Sequence, residues 1–188
     1  MNTPNKLTIL RIGLSFVCIG FILKNTFFSL FLALIIFGLA SLTDFFDGYL
    51  ARKHKLVSDL GKFLDPIADK ILIVGVFCAF LELRIINAVM VTLIMLREFI
   101  ITGLRLYGLN KGVVLEARRF GKHKTVSQIA GIFIIFIALL LSKVFPAGRT
   151  TYFLYNKFIP FAMWYIVIVT LSSGIYYFWI NRRAIRTF

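Results

Sequence analysis

Residues 44–52 read Asp44-Phe45-Phe46-Asp47-Gly48-Tyr49-Leu50-Ala51-Arg52, and residues 61–69 read Gly61-Lys62-Phe63-Leu64-Asp65-Pro66-Ile67-Ala68-Asp69. Four carboxylates stand here in apolar surroundings. An ionisable group at membrane depth is expensive and by default marks function. Four converging carboxylates cannot neutralise one another, because like charges at close range raise each other's pKa. They call for cations, and divalent metal fits that need.

Outward from this stretch the chain is strongly apolar. Of 188 residues, 60% are hydrophobic, and the mean hydropathy is +0.89. This is not the composition of a soluble globular domain. Six windows, about 7–24, 27–51, 61–82, 85–109, 125–144 and 158–180, are each long enough to cross a bilayer of roughly 30 Å as a helix. The links between them are short, and no internal repeat or low-complexity linker interrupts them. The expected fold is all-α: a polytopic membrane protein, a bundle of six transmembrane helices in a single domain over residues 1–188. Residues 1–6 lack a basic region followed by a small-residue cleavage site, so the first span is expected to be retained.

Orientation follows from lysine and arginine. With six spans both termini lie on one side, together with Lys6, Arg52, Lys53, Lys55, Lys111, Arg118, Arg119, Lys122, Lys124, Arg182, Arg183 and Arg186, twelve in all. The opposite links hold five: Lys24, Arg84, Lys143, Arg149 and Lys157. Both termini and the aspartate end are therefore expected in the cytoplasm, with the protein in the cell membrane as a multi-pass chain. The net charge of +14 reflects this bias and contact with anionic headgroups. Nucleic acid is excluded as a partner, since the basic residues are scattered among short links. Cys18 and Cys78 lie within apolar spans, without metal or redox spacing, and read as buried small hydrophobes.

Helix geometry decides which acids meet. At about 100° per residue, Asp44, Asp47, Gly48, Ala51 and Arg52 share one face, and Gly61, Asp65 and Asp69 share another at i, i+4 and i+8. A basic turn from Lys53 to Leu60 makes the two helices antiparallel neighbours. Each can then present two carboxylates near the cytoplasmic surface. Gly48, Ala51 and Gly61 remove bulk beside them. Pro66 deletes one helical hydrogen bond, so the helix either begins close to it or bends there. Hard oxygen ligands suit Mg²⁺, Mn²⁺ or Ca²⁺, and the absence of neighbouring His or Cys argues against zinc. His54 and His123 fall in basic loops and read as solvated or lipid-facing. Two ions about 4 Å apart are a recurring device for in-line displacement at phosphorus. The competing structural reading pairs the aspartates with Arg52, Lys62 and Lys70 as bundle glue, but buried ion pairs are rarely a net gain.

The pattern D-x2-D-G-x2-A-R-x8-G-x3-D-x3-D runs without a gap from Asp44 to Asp69. It resembles the signature of the CDP-alcohol phosphatidyltransferase family, whose six-helix bundle is similar to the layout above. The resemblance implies displacement of CMP from a CDP-linked lipid by an alcohol. It also implies that Asp44, Asp47, Asp65 and Asp69 hold two divalent cations, Mg²⁺ or Mn²⁺, with Asp69 also the general base. Gly48, Ala51 and Arg52 would line the CDP site, and a homodimer is implied. The segment Pro4-Asn5-Lys6-Leu7-Thr8-Ile9-Leu10-Arg11 resembles the family's Pro-Asn-x-x-Thr-x-x-Arg segment, which would put Asn5 and Thr8 near the nucleotide. Read from the residues alone, Asn5 and Thr8 are helix caps and Arg11 snorkels to the interface.

Three stretches bear on the acceptor alcohol. Arg97 and Arg105 lie within about 80° of one another on one helix, and arginine prefers planar oxyanions. The bland alternative is a neutralising network of Arg97, Glu98, Arg105 and the aspartates. Gly121-Lys122-His123-Lys124-Thr125 stands at the mouth of the fifth helix, where Thr125 can cap and Lys122 with Lys124 can meet an anion. The alternative there is a solvated positive-inside loop, and Arg118 and Arg119 read as headgroup contacts. An acceptor with its own phosphate explains this basic surplus. These stretches, with Ser172-Ser173-Gly174, resemble the branch of the family that joins CDP-diacylglycerol to glycerol 3-phosphate. The expected acceptor site is Arg97, Arg105, Lys122, Lys124 and Thr125. Other readings are a sister transferase using inositol phosphate, serine or phosphatidylglycerol, a divalent-cation transporter, and a purely structural membrane anchor. The acids cluster at one membrane face and no mirrored broken-helix half accompanies them, which speaks against transport.

Overall fold

In apolar surroundings backbone polar groups must be met within the segment, so the long apolar runs form helix. Pro4, Pro146 and Pro160 stand where a rod starts, stops or changes, whereas Pro66 lies inside one. The computed structural model describes residues 3–54, 59–111, 120–146 and 148–186; side chains 3–7, 44–66, 69, 109–110, 120–123, 183 and 186 lie outside the described set. The helices are α1 (Thr3–Lys24), α2 (Phe27–His54), α3 (Asp59–Glu82), α4 (Ala88–Asn110), α5 (Phe120–Val144), α6 (Arg149–Phe153) and α7 (Ile159–Arg186). A π-helical turn, Leu154–Phe158, joins α6 to α7 without a break. No strand occurs among the described residues. Each expected window falls on one long rod.

Helix ends follow from local chemistry. Pro4 sits in the first turn of α1, where a missing N–H costs nothing. That lets α1 begin at Thr3, so Asn5 and Thr8 are interior residues and not caps. Thr26 caps α2 reciprocally with Ser29: the Thr26 N–H donates to Ser29 Oγ at 2.9 Å and the Ser29 N–H to Thr26 Oγ1 at 3.2 Å. Arg84, at φ 56, reverses the chain after α3, and Asn87 Oδ1 accepts the Val89 N–H at 2.8 Å to start α4. Pro160 has no N–H for the Asn156 carbonyl, and the preceding turn widens to π. Lys157 thus lies within the last rod and not in a link.

The short connections after α1 and α3 fold α2 back on α1 and α4 back on α3. α1 packs against α2 and α3, α5 against α2 and α7, and α4 against α3 and α7. Phe37, Phe133, Phe136 and Phe80 tie α2, α5 and α3 edge to face, with Phe37–Phe133 and Phe80–Phe136 centroids each 5.3 Å apart. Two contacts fix the register of α1. Cys18 Sγ lies 3.4 Å from the Ala33 carbonyl, and a Cβ on Gly75 would come within 2.7 Å of Ile19 Cδ1. α1 is antiparallel to α2 and parallel to α3. Counting back along both helices brings Thr8 and Arg11 level with residues 40–43 of α2 and 64–67 of α3.

The outward surface is apolar. Phe161 is 74% exposed, Ile175 71% and Phe28 69%, and large apolar side chains are exposed on every long rod, more than a surface facing water usually carries. Two rods, Lys124–Val144 and Arg149–Arg182, are long and apolar enough by themselves to cross a membrane, and Phe27–Thr43 is a shorter apolar run. Cys18 is buried as expected, whereas Cys78 is exposed on the outer face of α3.

Candidate active site

The four aspartates fall on two helices, Asp44 and Asp47 in the C-terminal half of α2 and Asp65 and Asp69 in the N-terminal half of α3. Their side chains, with those of Ala51, Arg52, Asn5, Lys122, His54 and His123 and the surroundings of Gly48, lie outside the described set, as do Arg118 and Arg119 entirely. The backbone bears on one question about them. α3 begins at Asp59, about two turns before Pro66, so the helix does not begin at the proline.

Beside this end of the bundle, α1 presents a buried row at Thr8, Arg11, Ser15, Cys18 and Ile22, spaced by three and four residues. Thr8 and Arg11 are each only 1% exposed. Arg11 is therefore interior, against the expectation that it snorkels. The register of α1 explains this: its first half packs against α2 and α3, and its other side carries the exposed Ile9, Leu10, Phe16 and Val17. Ser15 Oγ donates to the Arg11 carbonyl at 2.8 Å, which satisfies the hydroxyl inside the helix.

A second polar centre joins α4, α5 and α7. Arg97 Nη1 donates to Glu98 Oε1 at 3.2 Å, and Arg97 Nη2 donates to Ser173 Oγ at 2.9 Å. Lys124 Nζ donates to the same Glu98 oxygen in a close ion pair. Gln128 Nε2 lies 3.4 Å from Glu98 Oε1 and 3.3 Å from Thr170 Oγ1. Ser173 Oγ in turn donates to the Thr170 carbonyl at 2.8 Å. Arg97, Glu98, Gln128, Thr170 and Ser173 are all buried. Lys70, one residue after Asp69 on α3, is near enough for its charge to act on both Glu98 and Lys124. That helix, α3, carries half the aspartates and packs against both α4 and α5.

Gly174 makes room for this centre. A Cβ there would lie 3.0 Å from Arg97 Cγ and 3.5 Å from Arg97 Nε. The arginine stem crosses the face of α7 at that glycine, and the next residue back, Ser173, receives its guanidinium.

Of the expected acceptor residues, the structure brings Arg97 and Lys124 together through Glu98. Arg105 lies two turns further along α4, exposed, with its charge still felt at Arg97. Thr125 is half-buried on α5 and does not cap it, because α5 begins at Phe120. For the same reason Lys124 is a turn inside the helix and not in a solvated loop. The neutralising network considered for Arg97 and Glu98 exists, with Lys124 in the place expected for Arg105. Glu98, Gln128, Thr170 and Ser173 were not among the expected site residues. Their signal was polar residues on otherwise apolar rods, with Gln128 four residues after Lys124 and Ser173 three after Thr170.

Comparison with known proteins bears on what this arrangement does. Over 99% of its length the chain is 36% identical to the CDP-diacylglycerol–glycerol-3-phosphate 3-phosphatidyltransferase of Bacillus subtilis (strain 168), covering 98% of that protein. It is 37% identical over 94% of its length to the protein of that name from Rickettsia bellii (strain RML369-C), and likewise to the one from Rickettsia prowazekii (strain Madrid E), covering 93% of each. The profile of the CDP-alcohol phosphatidyltransferase family matches residues 1–172, a span that takes in the aspartate helices, the buried row of α1 and the Arg97–Glu98–Lys124 centre. The chain belongs to the CDP-alcohol phosphatidyltransferase family.

Proposed function

We propose that the protein transfers the phosphatidyl group of CDP-diacylglycerol to the primary hydroxyl of glycerol 3-phosphate, giving phosphatidylglycerol phosphate and CMP. The observation that carries the choice of acceptor is the buried centre of α4 and α5. Arg97 and Lys124 bring two positive charges, and Glu98 is the one carboxylate joined to them among the described residues. A buried surplus of positive charge is costly, and an acceptor bearing its own phosphate offsets it. Serine, a zwitterion without phosphate, would not. The near full-length likeness to relatives named for this reaction points the same way.

The donor set suits hard divalent cations, since four carboxylates stand on the adjoining halves of α2 and α3 at one end of the bundle. Asp44, Asp47, Asp65 and Asp69 would hold two such ions, Mg²⁺ or Mn²⁺. Bound there, the ions would offset the negative charge of the diphosphate as CMP leaves. Arg52 holds phosphate in a planar fork, and Gly48 and Ala51 leave space for the nucleotide, with Asn5 and Thr8 beside it. Arg97, Arg105, Lys122, Lys124 and Thr125 hold the phosphate of the acceptor. Asp69 takes the proton of the attacking hydroxyl. The new bond forms from that oxygen to the lipid-side phosphorus, and the bond from that phosphorus to CMP breaks. Positioning and fixed charge supply most of the acceleration.

The chain forms one domain in the cell membrane in this reading, with six spans, both termini and the active site cytoplasmic, and two copies associating as a homodimer. The exposed apolar perimeter and the bias of lysine and arginine toward one set of links support the topology. Purified protein is assayed for CMP release from CDP-diacylglycerol with glycerol 3-phosphate, serine, inositol phosphate and phosphatidylglycerol in turn. Release with glycerol 3-phosphate is expected, and release only with another acceptor overturns the assignment.

A further inference from the structure

We infer that Glu98 is a positioning residue, which gathers Arg97 and Lys124 from two helices into a single site for the acceptor's phosphate. The inference rests on the function proposed above. Three donors from two helices, Arg97 Nη1, Lys124 Nζ and Gln128 Nε2, converge on one oxygen, Glu98 Oε1. Without that carboxylate, the guanidinium and the ammonium would repel each other across α4 and α5 in a low-dielectric interior. Each would be drawn toward other oxygens or toward the interface. With it, both cations are held at fixed places although their joint charge exceeds that of their partner.

A second observation shows which part of Arg97 is left for a ligand. Each of its two terminal nitrogens commits one N–H, Nη1 to Glu98 and Nη2 to Ser173. Nε is buried and has no hydrogen-bond partner among the described residues, in a residue only 9% exposed. An orphaned, buried donor on a cation is costly unless a ligand satisfies it. It lies 3.5 Å from where a Gly174 Cβ would be, so the missing side chain of Gly174 keeps the space beside it open. Arginine commonly meets a planar oxyanion with two parallel N–H groups. Glu98 and Ser173 pin the fork, and Nε lies on its Gly174 side, where the missing side chain leaves it uncrowded. Lys124, tied to the same carboxylate, supplies the second charge. Glu98 itself touches no substrate in this arrangement. It acts through the two cations.

A structural role and a positioning role make different predictions. Loss of a bundle tie lowers folded yield and thermal midpoint and leaves the Michaelis constants of the surviving protein alone. Loss of positioning raises KM for the phosphate-bearing acceptor selectively. The experiment measures CMP release by detergent-purified wild type, Glu98→Gln and Glu98→Asp, varying each substrate separately. Glu98→Gln keeps the shape and removes the charge, and KM for glycerol 3-phosphate is expected to rise at least about tenfold, the scale of one charge-assisted hydrogen bond. KM for CDP-diacylglycerol should stay within about twofold, and Glu98→Asp, which keeps the charge, should recover part of the loss. Should Glu98→Gln not fold, Glu98→Asp carries the test alone, with KM for the acceptor raised and that for the lipid unchanged. An unchanged acceptor KM in the folded variant, or equal rises for both substrates, overturns the positioning role. Wild type that releases no CMP with glycerol 3-phosphate fails the parent reading instead, and the two failures are told apart in the first arm.

Discussion

Gly174→Ala puts one methyl group against the stem of Arg97 and so tests the proposed acceptor site by geometry alone. The added Cβ would lie 3.0 Å from Arg97 Cγ, 3.5 Å from Nε and 3.8 Å from Cδ. Carbon atoms are content at roughly 3.5–4.0 Å, so the stem must retreat from α7 by a few tenths of an ångström. The guanidinium is tied to that helix, with Nη2 2.9 Å from Ser173 Oγ. A retreat of that size stretches the bond toward the limit of about 3.2 Å and narrows the space beside Nε. A hydrogen bond to a charged group is worth about 1.5–3 kcal/mol. Weakening it by half costs about 1 kcal/mol, or about fivefold in KM for glycerol 3-phosphate. Stability moves the other way, since alanine in a helix interior is favoured over glycine by about 1 kcal/mol. That gain roughly offsets the crowding, so the thermal midpoint should barely change. The assay is CMP release against glycerol 3-phosphate concentration, with the melting of the same preparation followed in detergent. An unaltered acceptor KM with an unaltered midpoint would refute the reasoning, for it would mean that the stem of Arg97 is not held against Gly174.

Asp69→Asn removes the proposed base and a metal ligand with almost no change of volume; turnover should fall at least about a hundredfold, with yield and melting near wild type. Chelation of divalent cations should abolish CMP release, and added Mg²⁺ or Mn²⁺ should restore it; activity that survives exhaustive chelation would remove the metal role of the aspartates. At Gly131 a new Cβ would come within 2.1 Å of Ile166 Cδ1, so Gly131→Ala forces a buried isoleucine to repack where α5 meets α7, at about 1–3 kcal/mol. A lowered melting midpoint with unchanged KM values is the expected result. Single cysteines at Arg84 and Lys111, both exposed, should be labelled from opposite sides of a sealed vesicle, and labelling from the same side contradicts the six-span topology.

The rods were legible because an apolar run long enough to cross a bilayer leaves few alternatives to helix. The placing of the four aspartates on two successive helices was legible because the apolar runs around them set those helices without reference to any other element. The caps were not. Thr8 and Thr125 look like starting residues only if the helix is assumed to begin where hydrophobicity begins. Pro4 starts α1 earlier, at Thr3, and α5 starts at Phe120, inside a polar stretch. Arg11 was misread for a related reason. Snorkelling is the usual resort of an arginine near a membrane-facing end, and nothing local reveals that α2 and α3 close over it. That depends on the register set by Ile19 against Gly75 and Cys18 against Ala33.

The pairing of Glu98 with Lys124 marks the boundary of what spacing can say. Arg97 and Arg105 share a face of one helix, so they read as partners for one anion. Glu98 is turned about 100° from Arg97 and reads as belonging elsewhere. Yet the arginine's long stem brings Nη1 to the neighbouring carboxylate, and α5 delivers Lys124 to the same oxygen from another rod. Three features favour this assembly. Gly174 leaves the arginine a path across α7, Ser173 and Thr170 satisfy the far side, and Gln128 bridges the carboxylate to Thr170. Each is an unremarkable small or polar residue within its own helix. Their shared purpose arises only when α4, α5 and α7 meet, since a buried charge demands that every neighbouring polar atom be accounted for. The same demand leaves Arg97 Nε without a partner among the described residues, which is where the proposed acceptor phosphate would bring an oxygen.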